Sequence, residues 1–272
     1  MHLAGSQEET DFVRYGSSPF SVHASSLETA DFFPPWLPAG TSPVTYVYNW
    51  GILDGPNVLA VHCIHADDDD IAILKSRDVA VASCPRIAAR LGMGTPRIDK
   101  MLEAGLRCGF GTDSPAATDT IDMIDEMRIG MLLQRTIASG LKKQLLTSRK
   151  ALRMATIDAA RALKMEDVIG SLEPGKRADI IAVDLHNSHQ NPTSNPESAV
   201  IYTANQDNVM MTMVNGRILY DNFVHVYGPN RDTVVTDAIA LRRRIRDEVS
   251  NATLHDKLVA EANEDRQDRY NR

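Results

Sequence analysis

The chain has 272 residues, of which 43% are hydrophobic and 24% charged, enough to bury a core and too apolar for a disordered polymer. Its net charge of −7 argues against nucleic acid or an anionic membrane as partner, and no stretch approaches the ~18 apolar residues of a membrane span. The residues after Met1 show no basic segment leading into an apolar one, so no signal peptide is expected. Cys63, Cys84 and Cys108 stand in or beside apolar runs and lack a CxxC spacing. They read as buried thiols of a reducing cytoplasm rather than as a cysteine zinc site.

Taken in order, MHLA at residues 1–4 reads as the end of a strand, and residues 5–16 as a short helix ending at Gly16. Residues 17–56 are rich in proline, and Phe32, Phe33, Trp36 and Leu37 suggest a packed loop able to wall a pocket. A short segment is expected around Leu27–Phe32 and a helix or turn over 44–53. The pattern then becomes regular. Asn57–His62 is a continuous apolar run, as in a buried parallel strand, and Asp67–Lys75 is a helix with an acidic first turn. Val79–Cys84 is the next strand, Arg97–Ala104 a helix stopped by Gly105, and Leu106–Phe110 a third strand. Thr120–Ser139 is a long helix, and Thr147 or Ser148 caps another that runs to about Lys164. Strands and helices alternating at this spacing predict βα units and a parallel sheet.

Beyond Lys164 the pattern changes. Gly170–Asp184 reads as a turn and a strand, and Glu197–Tyr202, Val209–Val214 and Arg217–Tyr220 as short strands, with Asn215-Gly216 a hairpin turn. Asp237 to about Arg269 is a charged helix whose Arg242-Arg243-Arg244 run is a solvated face. The expected division is 1–165, 166–228 and 229–272.

Three side chains share one predicted position. His2, His62 and Asp113 each lie at or just past the C-terminal end of an apolar strand, the end at which parallel α/β proteins meet their ligands. If the strands are neighbours, the three converge on one rim. Two imidazoles and a carboxylate suit zinc or iron(II), which acidifies a bound water. Taken singly, each residue has a plainer reading, a hydrogen-bonding histidine or an aspartate capping a turn. His65 reads as surface or supporting, and His23, His186, His189, His225 and His255 lie in loops or on the terminal helix. Strand alternation turns Cys63 away from His62.

VHCIHADDDDI, SCPRIAARLGMG, GLRCGFGTDSPAATDTIDMIDEMR, ATIDAARAL and IGSLEPGKRADIIAVD follow one another in an order and at a spacing that resemble the zinc-dependent amidohydrolase superfamily, in its deaminase and chlorohydrolase branch. MHLAGSQEE is similar to that branch's strand-five segment, usually His-x-Ala-Glu-Ser, and the Cys-Pro-Arg segment is most similar to aminodeoxyfutalosine deaminases and their relatives. The resemblance covers Met1 to about Tyr220. It implies the C-terminal half of a (β/α)₈ barrel, a small β-sandwich and a C-terminal helix, with one metal per complete site. Carried over by position, His2 is a metal ligand, Asp113 a metal ligand and the base for the attacking water, and His62 holds the water or polarises the substrate. The implied reaction replaces a ring amino group of a small aminopurine-like molecule by hydroxyl and releases ammonia.

Three departures accompany the match. The family's first-strand His-x-His pair is absent, and only Met1 precedes His2, so the rest of that strand is expected in another polypeptide or a longer form of the chain. Gly5 stands where the family has the Glu that carries protons to the leaving group, and Glu8 and Glu9, a turn later, are poor substitutes. Ile87-Ala88 replaces small or polar residues of a pocket loop. Four strands of a barrel expose two edges, so the chain alone is expected to be inactive and poorly soluble or oligomeric. Three readings follow, in order: a part of a metal-dependent deaminase, one subunit of a split enzyme whose partner brings the missing strands, and a non-catalytic binding protein that kept the fold.

Overall fold

The computed structural model describes residues 1–20, 37–137, 146–222, 224–228 and 230–251. The segment around Leu27–Phe32, the residues Phe32, Phe33, Trp36, His23 and His255, and the helix beyond residue 251 lie outside them. The chain divides into two compact units, Met1–Ile218 and Leu219–Arg272.

The first unit is built on a four-stranded sheet, β1 (His2–Leu3), β2 (Leu59–His62), β3 (Ala80–Ser83) and β4 (Cys108–Phe110), in sequence order and parallel throughout. The register pairs Leu3 with His62, Val61 with Ala82, and Ser83 with Phe110, so the C-terminal ends of all four strands are aligned. Apolar strand residues form the core. Leu3, Ala60, Val81, Cys108 and Phe110 pack with Ile71, Leu74, Met101, Met131 and Met154 from the helices.

The connecting helices begin and end where the sequence marks them. Helix α1 (Gln7–Tyr15) starts at Ser6, whose hydroxyl accepts from the Glu9 N–H, and ends at Gly16 in the left-handed region (φ 71°). Helix α2 (Pro43–Asn49) is capped by Ser42. Helix α3 (Asp68–Ser76) has Asp67 and Asp70 in a reciprocal capping box, with three aspartates in its first turn. Helix α4 (Pro85–Arg90) follows β3 directly, with proline at its first position, and was not expected. Then come α5 (Ile98–Glu103), α6 (Pro115–Thr118) and α7 (Met123–Ile137). The helix predicted from Thr120 begins later because Asp122 turns back to accept from the Ile124 and Asp125 N–H groups. The helix predicted to run to Lys164 is two, α8 (Ser148–Met154) and α9 (Ile157–Ala162), separated at Thr156 (φ −131°, ψ −105°).

Gly109 in β4 shows how closely α9 packs. A Cβ there would lie 2.8 Å from Ala159 Cα and 2.9 Å from Ala159 Cβ. Backbone cannot yield as a flexible side chain can, so Gly109→Ala is expected to destabilise the fold by about 2–3 kcal/mol, seen as a lower midpoint of urea unfolding. An unchanged midpoint would show the β4–α9 contact to be loose.

Beyond α9, β5 (Ile180–Val183) pairs antiparallel with β6 (Val209–Val214), Ile180 facing Met213 and Ala182 facing Met211. The strand expected over Glu197–Tyr202 is instead a helix, α10 (Pro196–Thr203). Asn195 accepts from the Ser198 N–H and Pro196 takes the first helical position, and these two signals outweigh the apolar run Ala199-Val200-Ile201. Asn215 and Gly216 adopt φ of 50° and 78°, the double positive that a type I′ turn requires. The boundary between units falls in β7 (Arg217–Asp221), whose Tyr220 and Asp221 face His225 and Val224 of β8 (Val224–His225) in the second unit. That unit also holds α11 (Arg231–Asn251), along which Val234, Ile239, Leu241 and Ile245 are exposed. Among the described residues no helix is long and apolar enough to cross a membrane.

Candidate active site

Three of the four strands deliver one residue each to the same rim. His2 opens β1, His62 closes β2, and Asp113 follows the end of β4 by three residues. His2 Nδ1 lies 2.9 Å from His62 Nε2, and His62 Nε2 lies 3.6 Å from Asp113 Oδ2. The sheet thus brings together the three residues singled out in the sequence. The backbone aims them. His62 (φ 77°), Cys63 (φ 50°) and Asp113 (φ 58°) all adopt left-handed conformations that non-glycine residues rarely take. Strain of this kind gathers where function over-determines the backbone.

The electrostatics suit a neutral imidazole. His62 is buried, and its pKa is lowered by burial and by His2, with Asp113 and Glu9 pulling the other way. A neutral ring keeps a lone pair for a metal or for a donor hydrogen. Its Nδ1 is buried and has no partner. Asp113 Oδ1 accepts the Ser114 N–H at 2.5 Å, which leaves Oδ2 toward His62.

One member of the site was missed in the sequence, and a second was weighed there and set aside. Cys84, one residue past β3, offers its sulfur to the same point: donor atoms of His62, Cys84 and Asp113 all lie within 4.8 Å of one another. The lack of a CxxC spacing hid it, although its place at a strand end matched that of His62. The Cys84 thiol is pushed up to about 12 by burial and by the charges of Asp113 and Glu126, against the backbone N–H groups of Asp113 and Gly111. Cys63 and Cys108 are buried as expected and stay protonated for the same first reason, burial. The second is Glu9. Its two oxygens accept the Ala4 and Gly5 N–H groups at 2.8 Å each. A Cβ on Gly5 would lie 3.2 Å from His62 Cδ2 and 3.6 Å from Glu9 Oε2, so position 5 abuts the rim and Glu9 stands beside it.

The remaining candidates fall elsewhere. His65 Nε2 bonds the Met93 carbonyl at 2.7 Å and supports the loop after α4. His186 is exposed and pairs with Asp184 at 2.6 Å, and His189 and His225 are also exposed. Ile87 and Ala88, expected on a pocket loop, are buried in α4. Of the four apolar residues expected to wall a pocket, Leu37 is described, and it is exposed. Behind the rim, Glu126 of α7 is fully buried. Its Oε2 accepts the Arg86 N–H at the start of α4 (3.0 Å), and its Oε1 has no partner.

A 5-methylthioadenosine/S-adenosylhomocysteine deaminase of Symbiobacterium thermophilum is 40% identical over 184 residues, covering 67% of this chain and 42% of the relative. A protein of the same name from Moorella thermoacetica is 39% identical over 180 residues, covering 66% and 41%. The chain therefore spans about two fifths of the length of these relatives. Among solved structures, an adenosine deaminase from Xanthomonas campestris with bound zinc superposes with a TM-score of 0.75 at 25% identity, over 90% of this chain and 50% of that one. An atrazine chlorohydrolase from Arthrobacter aurescens, complexed with zinc, gives 0.69 at 26% identity over 78% and 45%. The model of the amidohydrolase family matches residues 16–219, three quarters of the sequence, and the chain belongs to that family.

Proposed function

We propose that this chain carries the catalytic rim of a metal-dependent hydrolytic deaminase, acting on the exocyclic C–N bond of an aminopurine-like ring. In this reading residues 1–165 are strands five to eight of a (β/α)₈ barrel, 166–228 a small β-sandwich segment and 229–272 a helical extension. The observation that carries it is the convergence of His62 and Asp113 at the C-terminal ends of β2 and β4, with His2 of β1 against His62.

The donors fit zinc or iron(II): an imidazole, a carboxylate and a thiol lie within 4.8 Å of one another, and the His2 imidazole lies 2.9 Å from His62 Nε2. His2 and Asp113 would hold the metal, which supplies Lewis acidity and an acidified water. Asp113 accepts the proton of the attacking water. Neutral His62 orients that water or the ring, held in place by His2 and Asp113. Loss of the amino group as ammonia needs a proton delivered to it, and Gly5 can carry none. Glu9 stands near, but both its oxygens are engaged by backbone N–H groups.

The expected result follows from that gap. With zinc and 5-methylthioadenosine, the wild-type chain releases ammonia at or near background, and Gly5→Glu exceeds it by about 100-fold, within the range of a positioned general acid. A second reading, a binding protein that kept the rim without the chemistry, is favoured by Gly5 itself. Tight nucleoside binding with no ammonia from either form would establish it.

A further inference from the structure

We propose that Met93 is a specificity-determining residue of this site. Its thioether methyl walls the rim beside Gly5 and lies against the face of the aminopurine-like ring, and His65 is the positioning residue that holds it there. The inference rests on the deaminase reading and adds a contact to the ring that this reading does not use.

Three observations support it. A Cβ on Gly5 would lie 3.2 Å from His62 Cδ2 and 3.4 Å from Met93 Cε, so the imidazole and the methyl flank one point of the rim. Met93 is half-buried and stands outside the hydrophobic core, so core packing does not account for where its methyl lies. Its backbone is pinned on both sides. The Met93 N–H donates to the Ala88 carbonyl of α4 at 2.9 Å, and the Met93 carbonyl accepts from His65 Nε2 at 2.7 Å. A carbonyl only accepts, so Nε2 carries the hydrogen. His65 also donates its own N–H to the Ala4 carbonyl at 3.0 Å, next to Gly5. One residue thus ties together the two chain segments that meet at this point.

A thioether is unbranched and polarisable and packs well on flat aromatic surface, but it offers no N–H or O–H. At this point the site therefore favours an aromatic ring over a polar open-chain or sugar-like group. The contact acts on binding and not on bond breaking.

Nuclear magnetic resonance of the full chain with labelled methionine methyls and zinc present tests this, with Met93→Leu identifying the Met93 signal. Saturation with 5-methylthioadenosine should move that signal upfield, as for a methyl over a ring face, and 5-methylthioribose, which lacks the ring, should not. Met93→Ala should weaken nucleoside binding by about 2–10-fold, what a sulfur–aromatic contact is worth. His65→Ala should weaken it by a similar factor and add nothing in Met93→Ala, whereas His65→Gln, which keeps an N–H for the Met93 carbonyl, should bind as wild type does. Nucleoside that moves the His62 ring signals and leaves the Met93 methyl unmoved would overturn the proposal and leave the deaminase reading standing, and this wild-type result does not depend on whether a variant folds. A His65→Ala defect that persists in Met93→Ala would overturn the role of His65. Nucleoside that moves neither His62 nor Met93 would overturn both readings.

Discussion

Asp113→Asn should lower zinc affinity by more than about 100-fold, because even residues that only support a metal ligand cost 10–100-fold when removed. The substitution isolates the carboxylate. Asparagine tolerates the left-handed backbone that Asp113 adopts (φ 58°), keeps an oxygen for the Ser114 N–H, and preserves the volume. What it removes is the negative charge 3.6 Å from His62 Nε2. His62→Asn, at a position whose positive φ (77°) asparagine also tolerates, should change zinc affinity far less, since in this reading His62 orients the water and does not hold the metal. Competition with a chromophoric chelator reads both. Affinity unchanged in Asp113→Asn would remove this residue from the metal site.

The second large effect concerns Glu126. Burial pushes its carboxyl up from 4.5 to about 7, outweighing the Arg86 N–H and the Arg86 charge that favour ionisation. In the unfolded chain the same group ionises near its ordinary value. Between about pH 4.5 and 7 the folded state therefore binds more protons than the unfolded state, so stability is greatest at the acid end and falls as pH rises through this window. The full difference is on the order of 3 kcal/mol. Glu126→Gln carries no charge at any pH and keeps an oxygen for the Arg86 N–H. It should match wild type near pH 5 and exceed it near pH 8, in paired urea unfolding curves. A constant offset between wild type and variant across that range would contradict the assignment.

Much of the sheet was legible because parallel strands buried on both faces read as unbroken apolar runs: LAVH, AVAS and the CGF of β4 lie inside the stretches singled out. The helix ends were legible where chemistry marks them, at Asp67, Gly16 and Thr147. Glu197–Tyr202 failed because a short apolar run has no period of its own, and the deciding signals lay just before it in Asn195 and Pro196. The rim followed from strand ends alone, which placed His2, His62 and Asp113 together. Cys84 did not, because its approach depends on backbone turns after β2 and β4 that no residue pattern announces. Positive φ at His62, Cys63 and Asp113 is a consequence of the assembled site rather than of local preference. Glu126 escaped notice because a glutamate on an amphipathic helix is normally solvated, and here the start of α4 covers it.

The most direct measurement is ammonia release from 5-methylthioadenosine by zinc-loaded Gly5→Glu, compared with the same protein carrying Asp113→Asn as well. Release that disappears in the double variant is the predicted result, since Asp113 is the residue proposed as the base that accepts the proton of the attacking water. Release that persists without Asp113, or nucleoside bound with no release by either protein, would contradict the assignment of this rim as a deaminase site.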